Sequence, residues 1–484
     1  MPIKLSTDDI KALYHQGEET VIAFMNLLVN KINALEEEQN RLKGIIKKDS
    51  HNSSKPPSSD VGRRTKSLRK KGKRKSGGQP GHKGYTLHRV DNPDYTENHS
   101  LQGACECGKA LNKGALLDFE RRQVADIPPP AQLEYTEHRA EIRKCTCGRV
   151  HTAQFPVGVD APIQYGERVR ALMIYFNAYQ LLPQKRSVEM LKDVFGIELS
   201  EGTLNNTVQQ AYQKLAVTEG AIKAAIRNSP VMNLDETGMY VNGKRIWEHS
   251  SSTELFTYYF CHEKRGRKAM DAGGMLREYI GRIVHDGWKS YLDFDCLHAL
   301  CNAHHLRELV YIKEHYKQKW AGSLIKLLCR IKHIVDKAKT HNRNNLAPAT
   351  LQRYQKRYRN LLAAGYRANP APSSAERKPG QRGRLKQHPA RNLLDRLKEQ
   401  ESETLAFMFD FTVPFDNNLA ERDLRMTKVK QKVSGGFRSK SGANAFCRIR
   451  GYISTIRKHG SNLMEHLDKI FQTDGNEILL PKSC

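Results

Sequence analysis

Three carboxylates stand where phosphoryl-transfer chemistry would place them. Asp235 closes the short apolar run at 231–234, Asp286 closes a second run at 283–285, and Glu421 lies in DNNLAERDLR at 416–425. Hard cations take oxygen ligands, and two or three carboxylates offset their charge. Two Mg²⁺ (or Mn²⁺) ions held about 3.5–4 Å apart activate an attacking oxygen and a leaving oxygen. If a helix begins at Asn418, then Glu421, Arg425, Lys428 and Lys432 share one face, an acid followed by cations, suited to a metal and then a phosphate backbone. Plainer readings exist for the same residues. Asn418 and Glu421 have the spacing of a capping box, Glu421 and Arg425 that of an ordinary ion pair, and the two aspartates sit where turns begin.

Four of the ten cysteines form a second constellation, Cys105 with Cys107 and Cys145 with Cys147, each pair followed by glycine. Four thiolates suit one tetrahedral structural Zn²⁺, and a glycine after each pair permits the tight turn that aims both sulfurs at the metal. The C-x-C spacing is shorter than the common C-x2-C. His151 is an alternative fourth ligand, and redox or unliganded thiols are the alternative reading. Positions 261, 296, 301, 329, 447 and 484 show no paired pattern.

Cations make the third. The 484 residues carry a formal charge of +28 and a pI near 9.6. The excess is concentrated in 61–90, 301–400 and 421–460, and the remainder is net acidic. Basic blocks on an acidic framework point to a polyanion track, with a solvated surface as the bland alternative. Arg63, Arg64, Lys70, Lys71, Lys73, Arg74 and Lys75 fall in a stretch without acids or apolar periodicity, a phosphate-gripping arm or a solubilising spacer. Arg438 adds to the cations beyond Glu421.

The elements that must position these groups are partly visible. From 21 to 46 a heptad pattern puts Val21, Leu28, Leu35 and Leu42 at d and Met25, Ile32 and Ile46 at a, with Gln39 polar at the remaining a position. That predicts a coiled coil and self-association, against a helix packed on its own domain. Residues 187–195, Gly196 and a Ser200 cap followed by 203–215 have helix-turn-helix spacing or that of a plain helical hairpin. From 230 the pattern becomes strand, Asn-Gly hairpin at 242–243, strands at 245–249 and 255–260, helix at 264–279 and strand at 283–286, the order of a ribonuclease-H-like mixed sheet. No run of eighteen apolar residues is present, and the N-terminus lacks the apolar core of a signal peptide, so a cytoplasmic, nucleoid-associated protein is expected, with no membrane partner.

Taken in order, these residues resemble the DDE transposases of the insertion sequence 66 family. The resemblance runs over nearly the whole chain: the zipper, NSSKPPSSD at 52–60, GGQPGHKG at 77–84, the two CxCG knuckles with Asp126 to Pro129 between them, Leu182-Pro183, SEGTL at 200–204, Leu234 to Thr237, Asp286-Gly287, Cys301 to His304 with Arg307, DNNLAERDLR, and SGGFRS at 434–439. It implies that Asp235, Asp286 and Glu421 bind two Mg²⁺ ions. It also implies that 300–405 is a helical insertion between the second and third acids, with an exposed break at 368–390. Cys301 and His304 are similar to a C-x2-H signature found after the second acid in related transposases. Asn302 and His305-Leu306 depart from the family's usual residues there.

The expected fold is therefore multidomain α+β. It comprises a coiled-coil segment (1–50), a basic linker (51–90), a zinc-finger-like module (91–160), a helical region (161–229), a ribonuclease-H-like catalytic domain (230–299 and 406–460) interrupted by the insertion (300–405), and a tail (461–484). The activity implied is hydrolysis at the ends of a bacterial insertion sequence, freeing a 3′-hydroxyl that then attacks target DNA. The implied partners are double-stranded DNA, further copies of the chain and accessory proteins encoded by the same element. Two rivals remain: a nuclease of the same fold, and a catalytically inactive regulatory DNA-binding protein derived from such an element.

Overall fold

The computed structural model describes residues 6–46, 48–49, 52–53, 89–99, 102–111, 120–124, 133–156, 158–159, 161–372, 385 and 387–481. The chain divides into two units, Met1–Ser67 with Glu137–Glu189 and Leu199–Cys484, and Leu68–Thr136 with Met190–Glu198. The seven cations expected to form the basic arm, Arg63 to Lys75, the GGQPGHKG motif, Asp126 to Pro129 and most of the 373–386 break lie outside the described residues.

In the smaller unit the first knuckle closes as a tight turn. The Cys105 N–H donates to the Lys109 carbonyl at 2.9 Å and the Gly108 N–H to the Cys105 carbonyl at 2.8 Å, with Gly108 at φ +81°. Nearby, the Gln123 amide joins both the N–H and the carbonyl of Val90, at 2.9 and 2.8 Å.

The larger unit starts with helices α1 (Thr7–His15) and α2 (Glu18–Ile46). Ser6 and Asp9 cap α1 reciprocally, satisfying orphan N–H groups of its first turn. Over its 29 residues α2 leaves Met25, Ile32, Leu35, Leu42 and Ile46 exposed, Leu35 to 66%. Strands β1 (Ile142–Lys144) and β2 (Val150–Thr152) flank the second knuckle as an antiparallel pair. Helix α3 (Glu167–Ile174) continues into a π-turn at Tyr175–Tyr179. Helix α4 (Gln184–Phe195), whose residues from Met190 on belong to the smaller unit, α5 (Glu201–Lys214) and α6 (Ala216–Arg227) follow. Gly196 adopts φ +65° after α4, and the Ser200 hydroxyl accepts the Thr203 N–H at 3.0 Å, so the expected stop and cap are both present.

The core is a five-stranded sheet ordered β5-β4-β3-β6-β7. Strands β3 (Val231–Val241) and β4 (Lys244–Ser252) pair antiparallel through the Asn242-Gly243 turn, where both residues have positive φ as a type I′ turn demands. Strand β5 (Thr257–His262) pairs antiparallel to β4, while β6 (Arg282–His285) and β7 (Leu297–Leu300) run parallel to β3 on its other side. Three expectations are corrected here. The predicted 264–279 helix is only α7 (Arg267–Gly273), because Gly273-Gly274 stops it with Gly274 at φ +67°. The strand carrying Asp235 does not end there but runs six residues further. Strand β7 was not foreseen, since LHAL is too short to show alternation.

Side chains of β3 alternate between two layers. Met232 and Leu234 pack with Ile222 and Ile226 of α6, Tyr258 and Ile283. On the other face Met239 packs with Ile246, Phe437 and Phe446. Helix α13 (Asn418–Ser434) lies against β3 and β4, and α14 (Lys440–Lys458) against β5. Between β7 and α13 come α8 (Asn302–His315), α9 (Lys319–Thr340), α10 (Pro348–Ala368), α11 (Pro389–Glu399) and α12 (Glu401–Phe409). They share a core in which Trp320, Leu324, Leu328, Tyr358, Leu394 and Phe407 meet Val284 and Ala299 of the sheet. Helix α15 (Leu463–Gln472) packs on α3.

Candidate active site

The strand register brings two of the three carboxylates side by side. Pairing between β3 and β6 runs Val231 with Arg282, Met232 with Ile283 and Asn233 with Val284. Continued two rungs, the same register sets Asp235 opposite Asp286, just past the point where β6 ends. Strand alternation then puts Asp235 and Asp286 on the sheet face of Asn233 and Val284, beyond the last paired rung.

Asp286 sits in a turn held by a chain of hydrogen bonds. Its carboxylate accepts the Trp288 N–H at 2.8 Å, and Gly287 adopts φ +90°, which a side chain would strain. The Gly287 N–H donates to His285 Nδ1 at 3.1 Å. That fixes the proton of the neutral His285 ring on Nε2, which donates to His298 Nδ1 at 3.1 Å, leaving His298 Nε2–H to donate to the Phe294 carbonyl at 3.0 Å. Burial drives the His285 pKa down to about 3, so the His285 ring stays neutral.

Glu421 arrives in the first turn of α13, and one residue ties that helix to β3 and to Cys301, just after β7. The Asn417 side chain donates to the Leu234 carbonyl at 2.7 Å and accepts from Asn233 Nδ2 at 2.8 Å, while its backbone N–H donates to the Cys301 sulfur at 3.1 Å. Asn417 is therefore the N-cap, one residue earlier than the sequence suggested, and its side chain braces β3 rather than capping α13. The capping box of Asn418 with Glu421 is absent. Glu421 also does not pair with Arg425 among the described residues. Its Oε2 lies 3.8 Å from Arg307 and its Oε1 3.9 Å from His304 Nδ1, both on α8.

Asp235 feels the charges of several acids. Burial pushes Asp235 well above the ordinary carboxylate range, and the charges of Glu236, Glu421 and Asp286 push it further. Glu236 faces the opposite layer and is satisfied there. Arg265 donates to its Oε1 twice, at 2.8 and 2.6 Å, and the Tyr291 hydroxyl donates to its Oε2. Arg265 in turn lies over the rings of Trp247 and Trp288.

Among the described residues, one group of metal-capable side chains converges within 4.8 Å: Cys301, His304 and Glu421. Asp235 and Asp286 do not join so tight a group. Two ions about 3.5–4 Å apart need ligands spread across more than one coordination sphere. Cys301 is buried, its sulfur accepts the Asn417 N–H, and burial lifts its thiol pKa to about 12, so it braces the fold as a neutral thiol. Asn302 and His305 are also buried and face each other, with Asn302 Nδ2 bonded to the Thr404 carbonyl.

The cations of α13 divide. Arg425 and Lys432 are exposed, as is Arg438 in the turn after the helix. Lys428 instead donates to the Gly238 carbonyl on β3. Lys430 lies over Phe437 at 4.2 Å. The second knuckle repeats the first, with Cys145 N–H to the Arg149 carbonyl at 2.7 Å, Gly148 N–H to the Cys145 carbonyl at 2.8 Å and Gly148 at φ +90°. In each knuckle the backbone N–H of the second cysteine and then its thiol lower the pKa of the first. Sequence reasoning missed His285, His298, Asn417 and Arg307 as positioning groups, although the resemblance includes Arg307.

A family model described as Transposase IS66 family matches residues 162–445. A second model, described as a family of unknown function, matches residues 8–88. An uncharacterized protein, y4jO, of Sinorhizobium fredii is 33% identical over 86 residues, which cover 18% of this chain and 27% of that protein. The chain thus spans about a quarter of the length of the curated relative it matches.

Proposed function

The chain belongs to the Transposase IS66 family, and on that premise we propose that it cuts the ends of an insertion sequence and joins the freed 3′-hydroxyls to target DNA at one site built from Asp235, Asp286 and Glu421. Family membership carries DDE-type transposase function in general terms. The specific reading rests above all on strand position: Asp235 and Asp286 each stand two residues beyond the last β3–β6 pair, Asn233 with Val284, and the charges of Asp286 and Glu421 both reach Asp235. The sheet order, with a three-strand antiparallel meander extended by two parallel strands, supports a ribonuclease-H-like catalytic domain, and α8–α12 supports the helical insertion.

The residues fit Mg²⁺ or Mn²⁺. The donors are carboxylate oxygens, the Glu421 Oε1 is buried without a hydrogen-bond partner, and Asp235 is destabilised as an anion by burial and then by its acidic neighbours. Asp235, Asp286 and Glu421 would hold the ions, which when bound supply Lewis acidity to the attacking and leaving oxygens. The His285–His298 relay fixes the Asp286 turn, and Asn417 sets the distance between β3 and α13. Arg307 holds the Glu421 oxygen that faces it. Arg425, Lys432 and Arg438 would grip DNA phosphates, a largely sequence-neutral and salt-sensitive contact, as would the arm at 63–75.

The proposal extends to self-association through α2, whose exposed apolar heptad positions favour a second helix. It also extends to Zn²⁺ as the ion that the thiolate pairs Cys105 with Cys107 and Cys145 with Cys147 would bind. Each knuckle by itself has the turn and the lowered thiol pKa that a thiolate pair needs. No helix among the described residues is long and apolar enough to cross a membrane.

The test is a Mg²⁺-dependent assay on a duplex carrying the terminal sequences that flank the coding region, with plasmid as target. Cleavage plus covalent joining supports a transposase. Cleavage without joining favours the plain nuclease, and binding with neither favours the regulatory DNA-binding reading.

A further inference from the structure

We propose that His304 supplies a nitrogen ligand to the divalent ion on the Glu421 side of this site, making the centre a mixed carboxylate–imidazole one. The inference rests on the reading of Asp235, Asp286 and Glu421 as metal ligands. Two atoms carry it. His304 Nδ1 and Glu421 Oε1 are both buried and both without a hydrogen-bond partner. They face each other at 3.9 Å, too far for a hydrogen bond. Two ligand atoms each about 2.1 Å from one ion stand at most about 4.2 Å apart, so this separation admits a shared cation. Buried polar atoms are paired almost everywhere in proteins, and here two unpaired ones stand 3.9 Å apart.

The neighbouring groups narrow the choice of ligand. His304 and Arg307 are three residues apart on α8 and therefore on one face. Arg307 approaches Glu421 Oε2, leaving Oε1 turned toward the imidazole. Cys301 lies in the same group but its sulfur already accepts the Asn417 N–H, so the cluster offers one nitrogen and one oxygen rather than a thiolate. An imidazole is a softer donor than a carboxylate and suits a transition metal better than Mg²⁺. The centre should therefore favour Mn²⁺ over Mg²⁺ more than three carboxylates alone would.

The experiment uses the full chain, Mn²⁺ as probe, and pulsed electron paramagnetic resonance to read ¹⁴N coupling to the bound ion. Mn²⁺ uptake that depends on Asp235, by comparison with Asp235→Asn, identifies the site. The expected result is a histidine ¹⁴N coupling in the wild type that disappears in His304→Gln while Mn²⁺ remains bound. Its affinity should fall about tenfold and the Mg²⁺ affinity by less than about threefold. Should His304→Gln fold poorly, wild type grown with ¹⁵N-histidine must show the coupling replaced by that of ¹⁵N. Asp235-dependent Mn²⁺ binding without any histidine coupling, or with a coupling that survives in His304→Gln, overturns this proposal and leaves the carboxylate site intact. Absence of Asp235-dependent Mn²⁺ binding overturns both.

Discussion

Asp235 and Glu236 are consecutive acids on one strand, and the fold treats them in opposite ways. Strand alternation sends Glu236, its side chain 1% exposed, toward Arg265 and Tyr291, which satisfy both oxygens. Burial raises the pKa of both carboxyls, and the charges of Glu236, Glu421 and Asp286 raise that of Asp235 further, to well above the ordinary range. Each carboxylate is withdrawn from water, but only one is given a counter-charge by the protein. A buried acid with a fixed cation is part of the scaffold, whereas a buried acid among acids is a site whose cation comes from outside.

The sharpest way to break this comparison is to neutralise each side in turn. Asp235→Asn or Glu421→Gln should lower strand cleavage by about 10³-fold or more, the several kcal/mol that metal-borne charge stabilisation supplies. Asp235→Asn should also raise the melting temperature in chelator, since it removes an anion that the apo fold holds at a cost, and it should abolish the stabilisation added Mg²⁺ gives the wild type. A variant that cleaves at a near-normal rate would remove that acid from the site.

Glu248 on β4 is a third case, fully buried and raised by desolvation to about 7, from an ordinary 4.5. The folded state therefore holds its proton where the unfolded state releases it. The group's contribution is present below pH 4.5 and is lost as pH rises through 7, a loss of about 3 kcal/mol. Glu248→Gln should remove that slope, read as the difference between the denaturation free energies of wild type and variant at pH 5 and pH 8. An unchanged slope would refute the assignment.

On the scaffold side, Arg265→Met leaves Glu236 buried without its cation. Loss of a buried partner costs about 3–5 kcal/mol, reduced to about 2 here because Arg265 is partly solvated. Denaturant titration reads that loss. Cleavage by the folded fraction should change by less than about tenfold, so a loss as large as that of Asp235→Asn would make Glu236 part of the chemistry. The smallest effects belong to the cations. Arg425→Ala, Lys432→Ala and Arg438→Ala should each weaken DNA binding uniformly across sequences and reduce the salt slope by about one.

Much of this was legible in the residues. The Asn-Gly turn, the Ser200 cap, the helix carrying Glu421 and the two strands leading to Asp235 and Asp286 follow from local chemistry, and the structure has them. What was not legible depended on partners distant in sequence. That β3 passes straight through Asp235 is decided by its pairing with β4, since the local pattern stops at the acid. Strand β7 is four residues that depend on pairing with β6 and packing against α12. Asn417 displaced Asn418 as the helix start because its amide reaches Leu234 and Asn233, some 180 residues away. Glu421 turned from Arg425 to Arg307 for the same reason: helical spacing makes a pair available, and the packing of α8 against the start of α13 offers another. The domain limits, the zipper and zinc at the cysteine pairs remain proposals, and the basic arm lies outside the described residues.

The central claim is that Asp235, Asp286 and Glu421, from β3, the turn after β6 and α13, hold divalent ions at one place. Crystals of the chain soaked in Mn²⁺ and measured for anomalous scattering test it most directly. The account predicts an anomalous peak within coordinating distance of Asp235 and of at least one of Asp286 and Glu421, absent from crystals of Asp235→Asn. Mn²⁺ bound elsewhere on the chain, with no peak among these three carboxylates, would contradict it.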